Sequence, residues 1–377
     1  MGRADDSSAL AIEEPTDDGN TRATCRRPGA SSAPEGGPSE SAAATSGHLA
    51  DSFGRRITYL RLAITEYCNL RCTYCRPAEI AGVASLPPSL TREEIVRMAS
   101  VFVGLGVQKI RLTGGEPTLH PELVGIVEQL AGLRPVPPLL ALTTNGILLA
   151  RLAEPLRRAG LARVNISLDS ISTDGFRRMT GSRRLEDVRK GIDAAIEAGF
   201  ERVKINAVIL AGENEDEILP LANLARDLPV DVRFIEYMPI AGSGWNRQAH
   251  LPAEEIERRL SLALDLSPAS KDSHSGPARM VNAAGFSGQI GFISPLSVPF
   301  CSDCNRVRVT ARGTLRLCLL GGGEVDLVDP IRRGAGDREL ADLIGQALAG
   351  KAERHSVRLD SLSPPTECGS PMWAVGG

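Results

Sequence analysis

Cys68-Asn69-Leu70-Arg71-Cys72-Thr73-Tyr74-Cys75 follows directly on a strand-like run, Ile57 to Thr65, and sets three cysteines at C-x3-C-x2-C spacing. Three thiolates on one short loop point to a metal centre. A [4Fe-4S] cluster has four irons and is normally held by four cysteines, so a loop offering three leaves one iron open to a further ligand. Structural zinc competes, but it takes four Cys or His ligands and no His stands beside this loop. A disulfide pair with a spare thiol is the other alternative. The spacing favours the cluster over both.

Downstream of the loop, short apolar strands alternate with amphipathic helices. Strands are expected at Ile57–Thr65, Gln108–Leu112, Leu139–Thr143, Arg163–Leu168, Arg202–Leu210 and Asp231–Glu236. Helices are expected at Arg92–Leu105, Pro121–Leu133, Leu148–Ala159, Leu185–Ala198 and Asp216–Leu228. Six β/α units predict an α/β fold on a parallel sheet, because parallel strands need crossover connections. Periodicity leaves two forms open, a doubly wound sheet and an incomplete (β/α)6 barrel. Either puts chemistry at the carboxyl ends of the strands. Those ends carry Thr113-Gly114-Gly115-Glu116-Pro117, Thr143-Thr144-Asn145-Gly146, Ser167-Leu168-Asp169 and Glu236-Tyr237-Met238. Taken singly, each is an ordinary turn or core residue; their shared rim sets them apart.

A second set, Cys301-Ser302-Asp303-Cys304 and Cys318, again offers three thiolates. Zinc is a stronger rival here, since C-x2-C is a common zinc half-site and His355 is a candidate fourth ligand. Arg306 and Arg308 alternate on a strand-like stretch and so share a face. Guanidiniums beside a cluster ligand suit phosphate oxygens. Arg61 and Lys204 alternate with apolar residues and would project inward, and Arg111 lies near a strand end. A buried charge without a partner costs several kcal/mol, so a cationic interior calls for an anion such as a polyphosphate.

Across 377 residues, 43 Lys and Arg against 46 Asp and Glu give a net charge of -3, which argues against nucleic acid as a partner. The first residues are polar with no apolar h-region, and no run of about 18 apolar residues occurs, so neither export nor a membrane span is expected and the location is cytoplasmic. Residues 1–50, rich in Ser, Ala, Gly, Pro and Thr, read as a disordered tail. Grouped cysteines in such a chain read as metal ligands rather than disulfides, with Cys25 and Cys368 as bystanders.

The first cysteine loop, with Tyr74 before its last cysteine, resembles the radical S-adenosylmethionine (SAM) superfamily, in which the open iron chelates SAM. Both cysteine sets, Phe53-Gly54-Arg55, Cys304-Asn305-Arg306-Val307-Arg308 and the terminal Gly376-Gly377 together resemble the GTP 3',8-cyclase family of molybdenum-cofactor biosynthesis, over residues 53–377. That resemblance, not periodicity, points to the incomplete (β/α)6 TIM-like barrel, with a radical SAM barrel over 51–240 and an auxiliary-cluster region over 241–377. It implies two [4Fe-4S] clusters, one on Cys68, Cys72 and Cys75 binding SAM, the other on Cys301, Cys304 and Cys318 binding guanine. A deoxyadenosyl radical would take hydrogen from the ribose 3' carbon of GTP, and the carbon radical would attack C8.

Carried over by motif, Arg61, Arg111, Thr143, Lys204, Arg306, Val307 and Arg308 would contact GTP, and Tyr74, Gly115, Ser167 and Met238 would contact SAM. Arg306, Arg308, Gly376 and Gly377 would serve the chemistry. The implied partners are a reductase or a flavodoxin- or ferredoxin-type electron donor and the downstream cyclic pyranopterin monophosphate synthase, and a homodimer is compatible. The alternatives are a radical SAM enzyme that modifies a peptide and a non-enzymatic zinc-binding module.

Overall fold

Every second residue of the central strands is apolar and faces a helix, and that alternation organises the fold. A computed structural model describes residues 48–75, 90–270, 276–357 and 371–376. Its first half runs β1 (Tyr59–Ala63), α1 (Arg92–Gly104), β2 (Lys109–Thr113), α2 (Leu123–Ala131), β3 (Leu139–Thr144) and α3 (Leu149–Arg158). It continues with β4 (Arg163–Ser167), α4 (Thr173–Thr180), α5 (Leu185–Glu197), β5 (Arg202–Ile209), α6 (Ile218–Asp227) and β6 (Asp231–Glu236). The six expected strands and five expected helices are all present, with β6 at its expected bounds, β2 shifted by one residue, β3 one residue longer and the others shorter by one or two residues at one or both ends. Helix α4 was not expected; Ser172 caps it by accepting from the Gly175 amide, and Gly181 ends it at φ +70°.

After β6 come α7 (Ala253–Ser261), β7 (Leu266–Pro268), β8 (Arg279–Ala283), β9 (Ile290–Ile293), β10 (Arg306–Val309), β11 (Thr314–Arg316) and β12 (Glu324–Asp326). Helices α8 (Val328–Arg332), α9 (Asp337–Ala349) and α10 (Met372–Val375) close the chain. One twelve-stranded sheet results, in the order β12-β11-β10-β1-β2-β3-β4-β5-β6-β9-β8-β7. Strands β1 to β6 are mutually parallel, β10 adds parallel to β1, and β9 adds parallel to β6. The ladders therefore leave an open sheet, with strands from both halves of the chain in it.

Leu60, Leu62, Ile110, Leu112, Val164, Ile166, Ile205 and Phe234 are fully buried on the helix-facing side, where Ile95, Met98 and Phe102 of α1 and Val188 and Ile192 of α5 cover them. Parallel sheets usually bury apolar residues on both faces. Here the opposite face is polar, and that face carries the site. Leu49 is buried, its amide donating to Leu105 O at 3.0 Å, and the exposed Ala50 bridges to Arg56. Cys25 and Cys368 lie outside the described residues.

Candidate active site

The inward face of the eight parallel strands lines one cleft, open at its mouth. It draws Tyr59 and Arg61 from β1, Lys109 and Arg111 from β2, Thr143 from β3, Arg163 and Asn165 from β4, and Lys204 and Asn206 from β5. Arg233 of β6, Ile293 of β9, and Arg306 and Arg308 of β10 complete the ring. Ladder register brings the cations level, with Arg61 opposite both Arg308 and Arg111. Among the described residues no Asp or Glu lines this cleft.

The electrostatic consequence is marked. Burial, helped by Arg111 and opposed by Tyr59, lowers the Lys109 ammonium to about 8, and burial with Arg233 lowers Lys204 to about 8 although Asp231 stands 3.3 Å away. Burial and neighbouring guanidiniums lower Arg61 and Arg233 to about 10 and Arg308 well below its ordinary value. Tyr59 answers the excess. Burial alone would raise its phenol, but Arg111, Arg61 and Lys109 pull it down to about 6, and Arg111 Nε donates to its oxygen at 2.6 Å. Such a cleft is built to take up a polyanion.

At the carboxyl rim, the first cysteine loop is fixed by backbone and side-chain bonds together. The Arg71 and Thr73 amides donate to Thr180 O and Met179 O at the end of α4, both at 3.0 Å. Glu116 ties the loop to the rim: its amide donates to Tyr67 O at 2.6 Å, while its buried carboxylate accepts from Thr118, from Thr144 Oγ1 at 2.7 Å and from the Asn145 amide at 2.7 Å. Asn145 in turn donates to Asn69 Oδ1 at 2.7 Å. Gly114 and Gly115 are required for this approach, because a Cβ would stand 2.2 Å from Thr65 O at the first and 2.3 Å from Tyr67 O at the second. The Gly115 amide donates to Thr65 O at 2.8 Å and is not open to a ligand. Tyr74 Oη donates to Asp169 Oδ2 at 2.8 Å, and burial raises Asp169 to about 6.

Cys301, Cys304 and Cys318, all half-buried, line the cleft itself. Burial would raise the Cys304 thiol, but Arg306 and Lys351 outweigh it and hold it below its ordinary value. His355 lines the same cleft, with Nε2 at 3.0 Å from Pro295 O. Among the described residues no three Cys, His, Asp or Glu side chains close on a single-ion position. Three free cysteines in each set, the second in the cleft wall, match by donor type and number the three-cysteine ligation of a [4Fe-4S] cluster that keeps one iron open.

The chain's end comes back to this place. Helix α10 leads to Gly376, whose carbonyl accepts from Arg308 Nη1 at 2.7 Å. Gly376 adopts φ +71°, and a Cβ there would lie 2.0 Å from Thr113 Oγ1. Gly377 lies outside the described residues.

A radical SAM superfamily model matches residues 62–225, and a model for Molybdenum Cofactor Synthesis C matches residues 230–357. The chain is 46% identical over 309 residues to GTP 3',8-cyclase of Moorella thermoacetica, covering 82% of this chain and 95% of that one. The chain belongs to the GTP 3',8-cyclase family. Molybdenum cofactor biosynthesis protein 1 of Homo sapiens is 45% identical over 322 residues, 84% of this chain and 50% of that protein, so the chain spans about half the length of this family member. Among solved structures, Streptococcus suis SuiB bound to S-adenosylmethionine shares the fold, with a TM-score of 0.53 at 14% identity over 76% of this chain and 68% of that one.

Of the positions that the resemblance to this family singled out, Arg61, Arg111, Thr143, Lys204, Arg306, Arg308 and Met238 line the cleft together with Cys301, Cys304 and Cys318. Tyr74, Gly115 and Ser167 sit at the rim around the first cysteine loop, and Ser167 ends β4. Val307 differs: its side chain is 1% exposed and packs in the helix-facing core, so only its backbone is available to a ligand. Tyr59, Lys109, Arg163, Asn165, Asn206 and Arg233 were missed. The signal was available, since Tyr59-x-Arg61, Lys109-x-Arg111, Arg163-x-Asn165 and Lys204-x-Asn206 each put two polar residues on one strand face.

Proposed function

We propose that the protein binds GTP in the cationic cleft and converts it to (8S)-3',8-cyclo-7,8-dihydroguanosine 5'-triphosphate, the first step of molybdenum-cofactor biosynthesis. The observation that carries this reading is the cleft itself, with eight cationic side chains from six strands, no lining carboxylate among the described residues, and the second cysteine triad in its wall. A triphosphate would neutralise Arg61, Lys109, Arg111, Lys204 and Arg233 and lift the repulsion that burial imposes on them. That contact anchors one end of the nucleotide and leaves the ribose and base to reach toward the rim.

Two [4Fe-4S] clusters fit the two triads, Cys68, Cys72 and Cys75 and Cys301, Cys304 and Cys318. When bound at the first, SAM supplies the 5'-deoxyadenosyl radical that opens the reaction. The chain's own residues orient the partners. Tyr74, Gly115, Ser167 and Met238 would hold SAM at the rim. Arg306 and Arg308 would hold GTP from the β10 side, with Gly376 seated against Thr113. Confinement matters, because a radical must meet the ribose before it meets water or another donor.

The electron would come from a reductase or a flavodoxin- or ferredoxin-type donor, and the product would pass to cyclic pyranopterin monophosphate synthase. No described helix is long and apolar enough to cross a membrane. Anaerobic incubation of reconstituted protein with GTP, SAM and dithionite tests the reading, with Cys72→Ala as control. Appearance of 5'-deoxyadenosine together with a cyclised GTP isomer of unchanged mass, both absent from the control, supports it. SAM cleavage with GTP untouched overturns the substrate assignment.

A further inference from the structure

Two buried cations near the second cysteine set do not line the cleft and have no part in the reaction described above. Lys351 follows α9 and is 3% exposed. Its ammonium donates to the carbonyl of Leu317, the residue before Cys318, and to that of Arg306, two residues beyond Cys304, at 3.3 Å. Arg55, of the Phe53-Gly54-Arg55 stretch, is paired with Asp51 at 2.5 Å. Its guanidinium also donates to Cys301 O at 2.8 Å, to Ala352 O at 2.7 Å and to Glu353 O at 2.6 Å.

Each cysteine-bearing segment is therefore bonded, within two residues of its ligand, to one of these two cations, and Arg55 ties the neighbours of Lys351 to Cys301. Their charges differ in how they are met. Arg55 has Asp51, whereas the described hydrogen bonds of Lys351 all run to carbonyls. A buried ammonium satisfied only by dipoles is costly unless negative charge lies nearby. Three thiolates on a [4Fe-4S] core outweigh its positive charge, and reduction adds another negative charge.

We propose that Lys351 is the positioning and charge-balancing residue of the auxiliary cluster, with Arg55 as its brace; this rests on the second triad holding [4Fe-4S]. The lysine holds the Cys304 and Cys318 segments at the spacing the cluster needs and favours its reduced form. A neutral residue there makes reduction harder and moves the midpoint potential to more negative values.

The test uses the full chain with Cys68, Cys72 and Cys75 changed to Ala, so that only the second triad can hold a cluster. Iron, sulfide and zinc are counted after anaerobic reconstitution, and the reduced cluster is titrated by electron paramagnetic resonance in this parent and in its Lys351→Met and Lys351→Arg derivatives. The parent is expected to hold a [4Fe-4S] cluster. Lys351→Met should then show a more negative potential with a changed spectrum, or lose the cluster while still melting cooperatively, and Lys351→Arg should keep the parent's potential. An unchanged potential and spectrum in Lys351→Met overturns the proposal. So does loss of the cooperative melt in both lysine variants, which would make Lys351 a residue of the fold. Zinc without sulfide in the parent overturns the cluster reading itself, and the inference with it.

Discussion

Arg308 and Gly376 lie 68 residues apart in the chain and meet at 2.7 Å, the guanidinium Nη1 donating to the glycine carbonyl. The bond places the end of the chain on the inward face of β10, against Thr113 at the carboxyl end of β2. One arginine thus belongs both to the cationic ring and to the clasp of the tail. Bound nucleotide and seated tail would share a residue, which makes their coupling measurable.

Removing that arginine should weaken nucleotide binding. A charge-assisted hydrogen bond contributes about 1.5–3 kcal/mol, so Arg308→Ala should bind GTP roughly 10- to 100-fold less tightly while both clusters still assemble. Equilibrium titration of the reconstituted variant decides it, and undiminished affinity would remove the triphosphate contact from Arg308.

Gly376→Val should act on turnover rather than assembly. The φ of +71° and the 2.0 Å approach to Thr113 Oγ1 leave no room for a β-branched side chain, so the tail must leave its seat. Iron content and melting temperature are expected to match the parent, and product formation to be lost. Full turnover would show that the seat is dispensable.

Arg233→Leu should separate stability from function. Arg233 is buried in the cationic cleft and donates to Asn206 Oδ1 at 2.9 and 2.6 Å, with burial and Arg111 lowering its guanidinium to about 10. Replacing a repelled charge by an apolar side chain should raise the melting temperature of the nucleotide-free protein by roughly 1–3 °C and weaken GTP binding. A variant less stable than the parent would mean that the Asn206 bonds outweigh the repulsion.

The pH dependence follows from the same groups. Lys109 and Lys204 titrate near 8 in the folded state against 10.5 ordinarily, and Tyr59 near 6 against 10. Between each pair of values the unfolded chain holds more protons, so stability without nucleotide should rise with pH from about 6 to 10 and fall as pH drops through these folded-state values. Bound polyanion favours the charged lysines, so above pH 8 binding requires proton uptake and affinity should decline. Denaturant melts and binding titrations across pH 6.5–9.5 would reveal it; affinity that grows with pH would sink the charge argument.

The amino-acid sequence by itself determined the β/α alternation, the two cysteine triads and the parity that turns Arg61, Lys204 and Arg308 inward, because each is a local property: a strand's period, a loop's spacing, a turn's glycines. Side-chain parity even marked Lys109, Arg163 and Arg233, although nothing local said that their strands would face one cleft. Tertiary structure alone decided what is non-local. It added β9 and β10 to the edges of the six-stranded core and gave the Gly-Gly turn a backbone partner in Thr65. It also set Arg55 and Lys351 beside the second triad and Gly376 beside Arg308, contacts that close long loops and depend on how whole segments pack rather than on any residue's own preference.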